Sequence, residues 1–210
     1  MPKNRFPDSL PKRELRRRVA RRIRAFREAK NSPLGLSYCG MPSIEFLDVQ
    51  AWKDFLRSVC AVEIDSEILS DMRIQWSSLA LGLPIRFVNA DILEFLISTN
   101  DCYDLYNLDF FGGFVNPTSN GKSRCVEAIR SLIHRQSVRN QSFISVATFN
   151  VRDTGVVEYL AFIDNVPQVL SGWLNIERCC SVHKKNQATR LKLCFPYLCW
   201  QLGVANNFTV

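Results

Sequence analysis

The chain has 210 residues, of which 47% are hydrophobic, and it carries a formal net charge of +7. This length and composition predict one well-buried α/β core with an appended segment, and they argue against two independent domains. The sequence contains neither an 18-residue apolar run nor an apolar N-terminal stretch, so we expect a cytoplasmic protein without a membrane span or signal peptide.

The positive charge is concentrated at the N-terminus. The first 30 residues hold 12 Lys and Arg against three acidic residues, a net charge of +9, whereas the other 180 residues have a net charge of −2. Within this segment Leu15, Val19, Ile23 and Phe26 recur at helical spacing. That spacing predicts a basic amphipathic helix.

A basic helix of this kind is open to three interpretations. It binds the phosphates of a nucleic acid, lies on an anionic membrane, or docks on its own domain. Because the rest of the chain is nearly neutral, nucleic acid is the leading hypothesis. The candidate phosphate-binding residues are Arg16, Arg17, Arg18, Arg21, Arg22 and Arg24.

Beyond residue 34, short apolar runs alternate with longer amphipathic segments, a pattern typical of βα units. The predicted strands cover residues 36–39, 59–64, 85–88, 103–109 and 143–149. The predicted helices cover residues 42–56, 66–81, a short segment from 91, 122–137 and 153–173. Ser66 is the predicted cap of the second of these helices.

The C-terminal segment departs from the βα pattern. Residues 175–202 contain two strand-like runs joined by a polar turn, which predicts an antiparallel hairpin. The whole pattern predicts an α/β fold with a seven-stranded, mostly parallel, doubly wound sheet, a C-terminal antiparallel hairpin and a basic N-terminal helix. We place the helix and its linker in residues 1–34 and the doubly wound domain in residues 35–210.

The cysteines and histidines do not form a metal-binding pattern. Most of the eight cysteines stand in or beside apolar segments, as buried reduced thiols do. The chain has no Cys-x-x-Cys pair and only two histidines, His134 and His183. Adjacent residues such as Cys179 and Cys180 are poorly spaced for a tetrahedral zinc site, so we predict no metal.

The candidate binding residues stand at the ends of the predicted strands. In an open parallel sheet, ligands bind beyond the carboxyl ends of the strands, where the strand order reverses. The residues there are Gly40, Glu63, Asp65, Asp91 and Asp109. A carboxylate at a strand tip can accept hydrogen bonds from ribose hydroxyls or from an amine. The same carboxylates also suit helix caps, so both interpretations stay open.

Two considerations apply to the end of the fourth predicted strand. A carboxylate that ends an apolar strand carries a desolvation cost, which favours a functional role for Asp109. Phe110 and Phe111 follow it directly. Such aromatic side chains either fill a core or stack on a base, and we include both with Asp109 as candidate catalytic residues.

Three segments resemble class I S-adenosylmethionine-dependent methyltransferases: "VCAVEIDSEIL", "NADILEF" and "YDLYNLDFFGGF". The resemblance implies a Rossmann-like domain with S-adenosylmethionine as cofactor. It implies that Glu63 binds the ribose, that Asp91 faces the adenine amine, and that Asp109 lies beside the methyl group. Gly40 and Asp65 complete the predicted cofactor site. More distantly, "LDFFGGF" resembles the Asp-Pro-Phe-Gly signature of some tRNA guanine N-methyltransferases, with Phe110 in place of proline.

The first motif departs from the family. Its first strand normally ends in an acidic residue followed by a Gly-x-Gly turn, whereas "LSYCGMPSIE" has only Gly40 and no acid before it. The cofactor is then held differently, with Glu45 as one candidate, or is not held at all. From the three resembling segments and the basic N-terminal helix, we predict a methyltransferase that acts on a nucleic-acid base amine. The alternative is a methyltransferase-like domain without activity that binds nucleic acid or protein.

Other nucleotide-binding and hydrolytic motifs fit less well. "NPTSNGKS" contains Gly-Lys-Ser, but a phosphate-binding loop requires glycine at the position of Asn116. Gly121, Lys122 and Ser123 still suit a phosphate contact at a helix start. Dinucleotide-binding, serine-hydrolase and zinc-deaminase motifs are absent from the sequence.

Overall fold

The computed structural model describes residues 10–31, 34–110 and 124–149. The chain divides into two compact units, and each is described by itself. The first unit comprises Met1–Ile92, Tyr103–Leu108 and Phe143–Ala147, and the second comprises Leu93–Cys102, Asp109–Ser142 and Thr148–Val210. The domain boundary that we placed after residue 34 stays a prediction.

The structure contains a five-stranded sheet, most of whose residues belong to the first unit. Its strands are β1 (Leu36–Gly40), β2 (Leu56–Glu63), β3 (Ile85–Asn89), β4 (Leu105–Phe110) and β5 (Ile144–Phe149). They lie in the order β3-β2-β1-β4-β5, and the pairs β1/β2, β1/β4 and β2/β3 are parallel. The α/β class and the parallel pairing are therefore confirmed. The order reverses between β1 and β4, the point at which ligands bind in such sheets.

The helices that connect these strands are α2 (Leu47–Trp52), α3 (Ser66–Leu79), α4 (Ile92–Ser98) and α5 (Arg124–Val138), preceded by α1 (Leu10–Ala29). Each predicted strand and helix between residues 36 and 149 has a counterpart in the structure. The predicted helix over residues 153–173 and the C-terminal hairpin lie outside the described residues. A sheet of seven strands therefore remains a prediction.

Two local predictions are wrong. The segment predicted as one helix over residues 42–56 forms only α2 and a 3-10 helix, Lys53–Phe55, and Leu56 already belongs to β2. The reason is that Phe46 adopts a left-handed conformation, φ 52° and ψ 33°, so the right-handed helix begins only after it. In addition, Asp65 rather than Ser66 caps α3, because its carboxylate accepts from the amides of Glu67 and Ile68.

The basic helix α1 packs on the core of the first unit. Val19 and Ile23 are buried in the same cluster as Leu36, Trp52 and Leu105. The buried face is rotated from the predicted one: Leu15 is 42% exposed, whereas the neighbouring Arg16 is 8% exposed. Of the three interpretations of this helix, the structure shows that it docks on its own domain. The polar side chain of Arg16 takes part in this docking.

The described part of the second unit consists mainly of α4 and α5. The inward face of α5 is apolar and buries Cys125, Val126, Ala128, Ile129, Leu132 and Ile133. Arg135 donates from Nε to the carbonyl of Asp101 at 3.0 Å and from Nη1 to that of Leu96 at 3.1 Å. These bonds join α5 to the end of α4, where the last carbonyls lack partners within the helix.

Among the described helices, none combines the length and the apolar character that a membrane span requires.

Candidate functional site

The site begins at Gly40, the last residue of β1, where the strand order reverses. Gly40 pairs with Asn107 of β4, and the amide of Met41 donates to the Asn107 carbonyl at 3.3 Å. A Cβ atom on Gly40 would lie 2.4 Å from this carbonyl oxygen and 2.6 Å from the hydroxyl oxygen of Tyr38. Both separations are shorter than van der Waals contact, so the close approach of β1 and β4 requires glycine at this position.

Three polar side chains form a network beside Gly40. Asn107 donates from Nδ2 to Oδ2 of Asp48 at 3.0 Å and, more weakly, to the hydroxyl of Tyr38 at 3.4 Å. Tyr38 is fully buried. Burial and the nearby Asp48 carboxylate raise the pKa of Tyr38 well above its usual value, so the phenol stays neutral. The network thus places one carboxylate, Asp48, near the carboxyl end of β1.

Arg16 extends this network into the basic helix. Its Nε lies 3.4 Å from Oδ1 of Asp48, and its backbone carbonyl accepts a hydrogen bond from Nε1 of the buried Trp52 at 3.1 Å. Arg16 was predicted to bind phosphate, and this prediction is wrong because the docked helix buries the side chain. The other five candidate arginines of α1 are exposed.

The turn between β1 and α2 is built around Phe46. Its left-handed backbone is uncommon for a bulky residue and costs free energy. Burial offsets this cost, since the ring is fully buried with its centroid 4.9 Å from that of Trp76 and 6.5 Å from that of Phe87. An aromatic anchor therefore shapes the turn in which the methyltransferase pattern has glycines. Glu45, the acid that we considered for this turn, is partly exposed.

Glu63 is the last residue of β2, one residue before the predicted end of this strand, and its position is fixed by local hydrogen bonds. Its backbone carbonyl accepts from the amide of Ala90 at 3.1 Å and from Nδ2 of Asn89 at 3.0 Å. The amide of Asp65 donates to Oε1 of Glu63 at 2.9 Å. This bond orients the partly exposed carboxylate and leaves Oε2 as the oxygen that can accept from the hydroxyls of a ligand.

Asp65 has a defined structural role. Oδ1 accepts from the amide of Glu67 at 2.8 Å and from that of Ile68 at 3.2 Å, so the carboxylate caps α3. Asp91 lies between β3 and α4 and is partly buried. A cofactor contact by either residue stays a prediction.

The candidate catalytic residues stand at the end of β4. Asp109 is exposed, so the desolvation cost that we expected for its carboxylate does not apply. Its functional role therefore stays a prediction without that support. Phe110 is the last residue of β4. Phe111 and the predicted phosphate-contact residues 121–123 lie outside the described residues.

The sequence interpretation missed Asp48, Asn107 and the burial of Arg16. Asp48 was placed in the middle of a longer helix, whereas the structure has it in the first turn of α2. Asn107 precedes Asp109 by two residues, and the period of a strand places both on one face. The strand period was therefore the sequence signal that could have identified Asn107 as a candidate site residue. The pairing of Arg16 with Asp48 joins residues 32 positions apart, and periodicity carries no information about such a contact.

The exposed face of α1 is rich in arginine. Glu14 pairs with two of these residues, at 3.0 Å from Nε of Arg18 and at 3.8 Å from an Nη atom of Arg21. The hydrogen bond from Arg18 is the main cause that lowers the pKa of Glu14, so the pair is ionised at neutral pH. Arg17 and Arg22 form no ion pair within the described part of the chain. Both are exposed and available to an external anion.

Comparison with known proteins gives matches among solved structures. No protein-family model matches the chain, and no curated protein matches it. One solved structure is an S-adenosylmethionine-dependent methyltransferase from Clostridium acetobutylicum ATCC 824, with 16% identity and a TM-score of 0.40 over 55% of this chain and 44% of that chain. A second is the N-methyltransferase NodS from Bradyrhizobium japonicum WM9 in complex with S-adenosyl-L-homocysteine, with 11% identity and a TM-score of 0.40 over 60% of this chain and 57% of that chain.

A third match is the 23S rRNA methyltransferase ErmE, with 23% identity and a TM-score of 0.32 over 51% of this chain and 41% of that chain. The chain thus spans about half the length of these solved structures. All three are methyltransferases by name, the class that the sequence motifs resemble. The likeness concerns part of the fold, and the proposals for this chain rest on its own geometry.

Proposed function

We propose that the chain is an S-adenosylmethionine-dependent methyltransferase that acts on a base amine of a nucleic acid. The observation that carries this proposal is the position of Glu63. It ends the strand next to β1 in a sheet whose order reverses between β1 and β4, and its carboxylate is oriented by the amide of Asp65. A fixed anionic acceptor at that strand tip suits the two hydroxyls of a ribose.

The residues at this edge of the sheet fit such a cofactor. Glu63 would accept from the ribose, and Asp91, which follows the next strand, would accept from the adenine amine. Gly40 lies at the reversal point itself, where the close approach of β1 and β4 requires glycine. When bound, S-adenosylmethionine would supply an electrophilic methyl group, whose transfer breaks a carbon–sulfur bond and forms a carbon–nitrogen bond.

The protein's part in this reaction is to align the nucleophile and exclude water, so a catalytic pair is not required. Asp109 is the proposed partner of the substrate amine. Its carboxylate would accept a hydrogen bond from the amine N–H and so direct the nitrogen lone pair. Asp109 is exposed, so a substrate can reach its carboxylate.

The choice of nucleic acid rests on α1. Its exposed arginines offer several guanidinium groups to phosphates, which are bound bidentately by such groups. A membrane surface is less suitable, because insertion would require the apolar face of α1, and Val19 and Ile23 of that face are buried in the protein core. Phosphate contacts by a rigid docked helix leave the core intact.

One observation favours the alternative, a domain of this fold that binds nucleic acid or protein without methyl transfer. Atoms of Asn107 and Tyr38 crowd Gly40, and Phe46 occupies the turn where the methyltransferase pattern has glycines. If this crowding excludes the methionine portion of the cofactor, the fold is retained without its chemistry.

Transfer of a labelled methyl group separates the two candidates. The full chain would be incubated with S-adenosylmethionine labelled in its methyl group and with single-stranded RNA, duplex RNA, single-stranded DNA or duplex DNA. Label incorporated into one class of nucleic acid, and lost in Asp109→Ala, is the result that we expect. Nucleic-acid binding without incorporation on any of the four substrates would favour the binding module.

A further inference from the structure

Arg16 is a cation buried at the junction of two parts of the first unit. Its side chain is 9% exposed, against 34% for that of its partner Asp48. Burial of a guanidinium is unfavourable unless the charge is paired and hydrogen-bonded. The observed ion pair at 3.4 Å therefore makes the position of Arg16 and that of Asp48 depend on each other. Because Arg16 belongs to α1 and Asp48 to α2, the pair links the basic helix to the first turn of α2.

The contacts continue from Asp48 to the point where the strand order reverses. The second carboxylate oxygen of Asp48 accepts from Asn107 Nδ2 at 3.0 Å, and the carbonyl of the same Asn107 accepts from the amide that follows Gly40. Each oxygen of Asp48 thus has a different partner, one on α1 and one on β4. A carboxylate held from both sides is restricted in position, and so is the helix turn that carries it.

Two aromatic side chains, Trp52 and Phe46, also hold this part of the chain in place. Trp52, at the end of α2, donates from Nε1 to the carbonyl of Arg16, and Phe46, just before α2, is buried against Trp76 and Phe87. Phe46 and α2 are therefore held by aromatic packing at their first residue and by α1 at their last. After Gly40, residues 41–55 contain no glycine. Side-chain contacts fix here what a glycine-rich turn fixes through its own backbone.

We propose that Arg16 is a positioning residue: through its ion pair with Asp48, the docked basic helix sets the position of residues 41–48 beside Gly40 and thereby controls cofactor affinity. This inference rests on the proposed function, because it concerns the same cofactor site. It gives α1 two faces with separate roles. The inward face holds the turn, and the outward arginines remain for the nucleic acid.

A matched pair of charge-neutralising substitutions on α1 tests the proposal. Arg16→Gln removes the buried charge, and Arg13→Gln removes an exposed charge three residues away on the same helix. The affinity for S-adenosyl-L-homocysteine is measured by calorimetry on the full chain, at a temperature where tryptophan fluorescence and the thermal transition show both variants to be folded. We expect Arg16→Gln to weaken binding by roughly 3- to 30-fold and Arg13→Gln to leave it unchanged.

Two further measurements distinguish positioning from general destabilisation. Hydrogen exchange should be faster in Arg16→Gln for the amides of residues 41–50, while those of β3 keep the wild-type rate. Asp48→Asn should weaken binding as Arg16→Gln does, and the double variant should be no weaker than the worse single one, because both remove the same link. Arg16→Lys keeps the charge and should recover part of the affinity.

The outcomes are separable. If the wild-type chain binds S-adenosyl-L-homocysteine and Arg16→Gln binds it equally well, the positioning role is overturned and the proposed function stands. Unchanged exchange in residues 41–50 of Arg16→Gln would also overturn it. If the wild-type chain itself does not bind the compound, the proposed function fails, and control of cofactor affinity fails with it.

Discussion

The carboxylate of Asp104 accepts a 2.7 Å hydrogen bond from the ammonium of Lys30, which joins the residue after α1 to the residue before β4. The same carboxylate accepts from the amide of Ser37 at 2.9 Å and from its hydroxyl at 2.8 Å, and Arg57 lies 3.3 Å away. Burial opposes ionisation of Asp104, but the bonds from Lys30 and Ser37 outweigh it, and the pKa of the carboxyl is lowered.

This shift predicts a pH-dependent stability. A carboxyl whose pKa is lower in the folded state than in the unfolded state stabilises the fold above its unfolded pKa, and this contribution is lost as the pH falls through the folded pKa. Asp104→Asn should lower the free energy of unfolding by roughly 1.5–3 kcal/mol at pH 7. It should also flatten the decline of stability below about pH 4.

Urea unfolding between pH 2.5 and pH 7 measures this effect. Asp71→Asn is the matched control, because Asp71 is an exposed carboxylate on α3. The control should follow the wild-type profile. An Asp104→Asn profile parallel to that of the wild type over the whole range would contradict the assignment.

Gly40 gives a second prediction, which concerns packing at the strand reversal. In Gly40→Ala the new Cβ would meet the backbone carbonyl of Asn107, and a backbone atom of a central strand cannot move aside easily. We expect a loss of about 3 kcal/mol in the free energy of unfolding.

Gly82→Ala is the control for Gly40→Ala. Gly82 has a positive φ of 69° and open space around its Cβ position, so only its conformational cost applies, about 1 kcal/mol. Urea unfolding measures both variants. Equal losses of unfolding free energy would contradict the prediction, because they would show that the contact with the Asn107 carbonyl adds no cost at position 40.

The exposed arginines of α1 give a third prediction. Removal of two phosphate contacts by Arg17→Gln with Arg22→Gln should reduce the slope of log K against log salt concentration by roughly 2 for duplex DNA. The thermal transition should not change, because both side chains are exposed. Fluorescence anisotropy of a labelled oligonucleotide over a range of salt concentrations measures the slope.

These point variants are better suited than deletion of α1. Because Val19 and Ile23 belong to the core, removal of the helix would unfold part of the domain along with any binding surface. Arg130→Gln with Arg139→Gln, two exposed arginines outside α1, is the control for the loss of two positive charges. A slope that changes as much in the control as in the α1 variant would exclude a phosphate-binding role for α1.

Asp109 gives a fourth prediction, which separates substrate alignment from cofactor binding. Asp109→Ala should lower the rate of methyl transfer by roughly 100-fold through loss of alignment and leave the affinity for S-adenosyl-L-homocysteine unchanged. Single-turnover transfer of the labelled methyl group and a binding titration measure the two quantities. Equal losses in both would place Asp109 in the cofactor site.

The order of the strands and helices up to residue 149 was predictable because local signals agree there. Nearly continuous apolar runs such as β2 are typical of strands covered on both sides, and Asp109 was correctly placed near the end of its strand. The parallel pairing followed from the alternation of strands and helices, since parallel strands need a crossover.

The details of the first turn were not predictable from local signals. A left-handed conformation suggests Gly or Asn, so nothing in the sequence marks Phe46. The helical period gave the apolar face of α1 to within one residue. Only the tertiary pairing with Asp48 reveals that Arg16, and not Leu15, lies inside.

The central claim, that Glu63 anchors a cofactor at the tip of β2, is tested most directly by titrating S-adenosyl-L-homocysteine into the wild-type chain, Glu63→Ala and Glu67→Ala. Glu67 is an exposed carboxylate in the first turn of α3 and serves as the matched control. We predict binding by the wild type and by Glu67→Ala, and a roughly 10- to 100-fold weaker affinity for Glu63→Ala through loss of charged hydrogen bonds. Equal affinities for all three proteins, or no binding by the wild type at millimolar ligand, would contradict the claim.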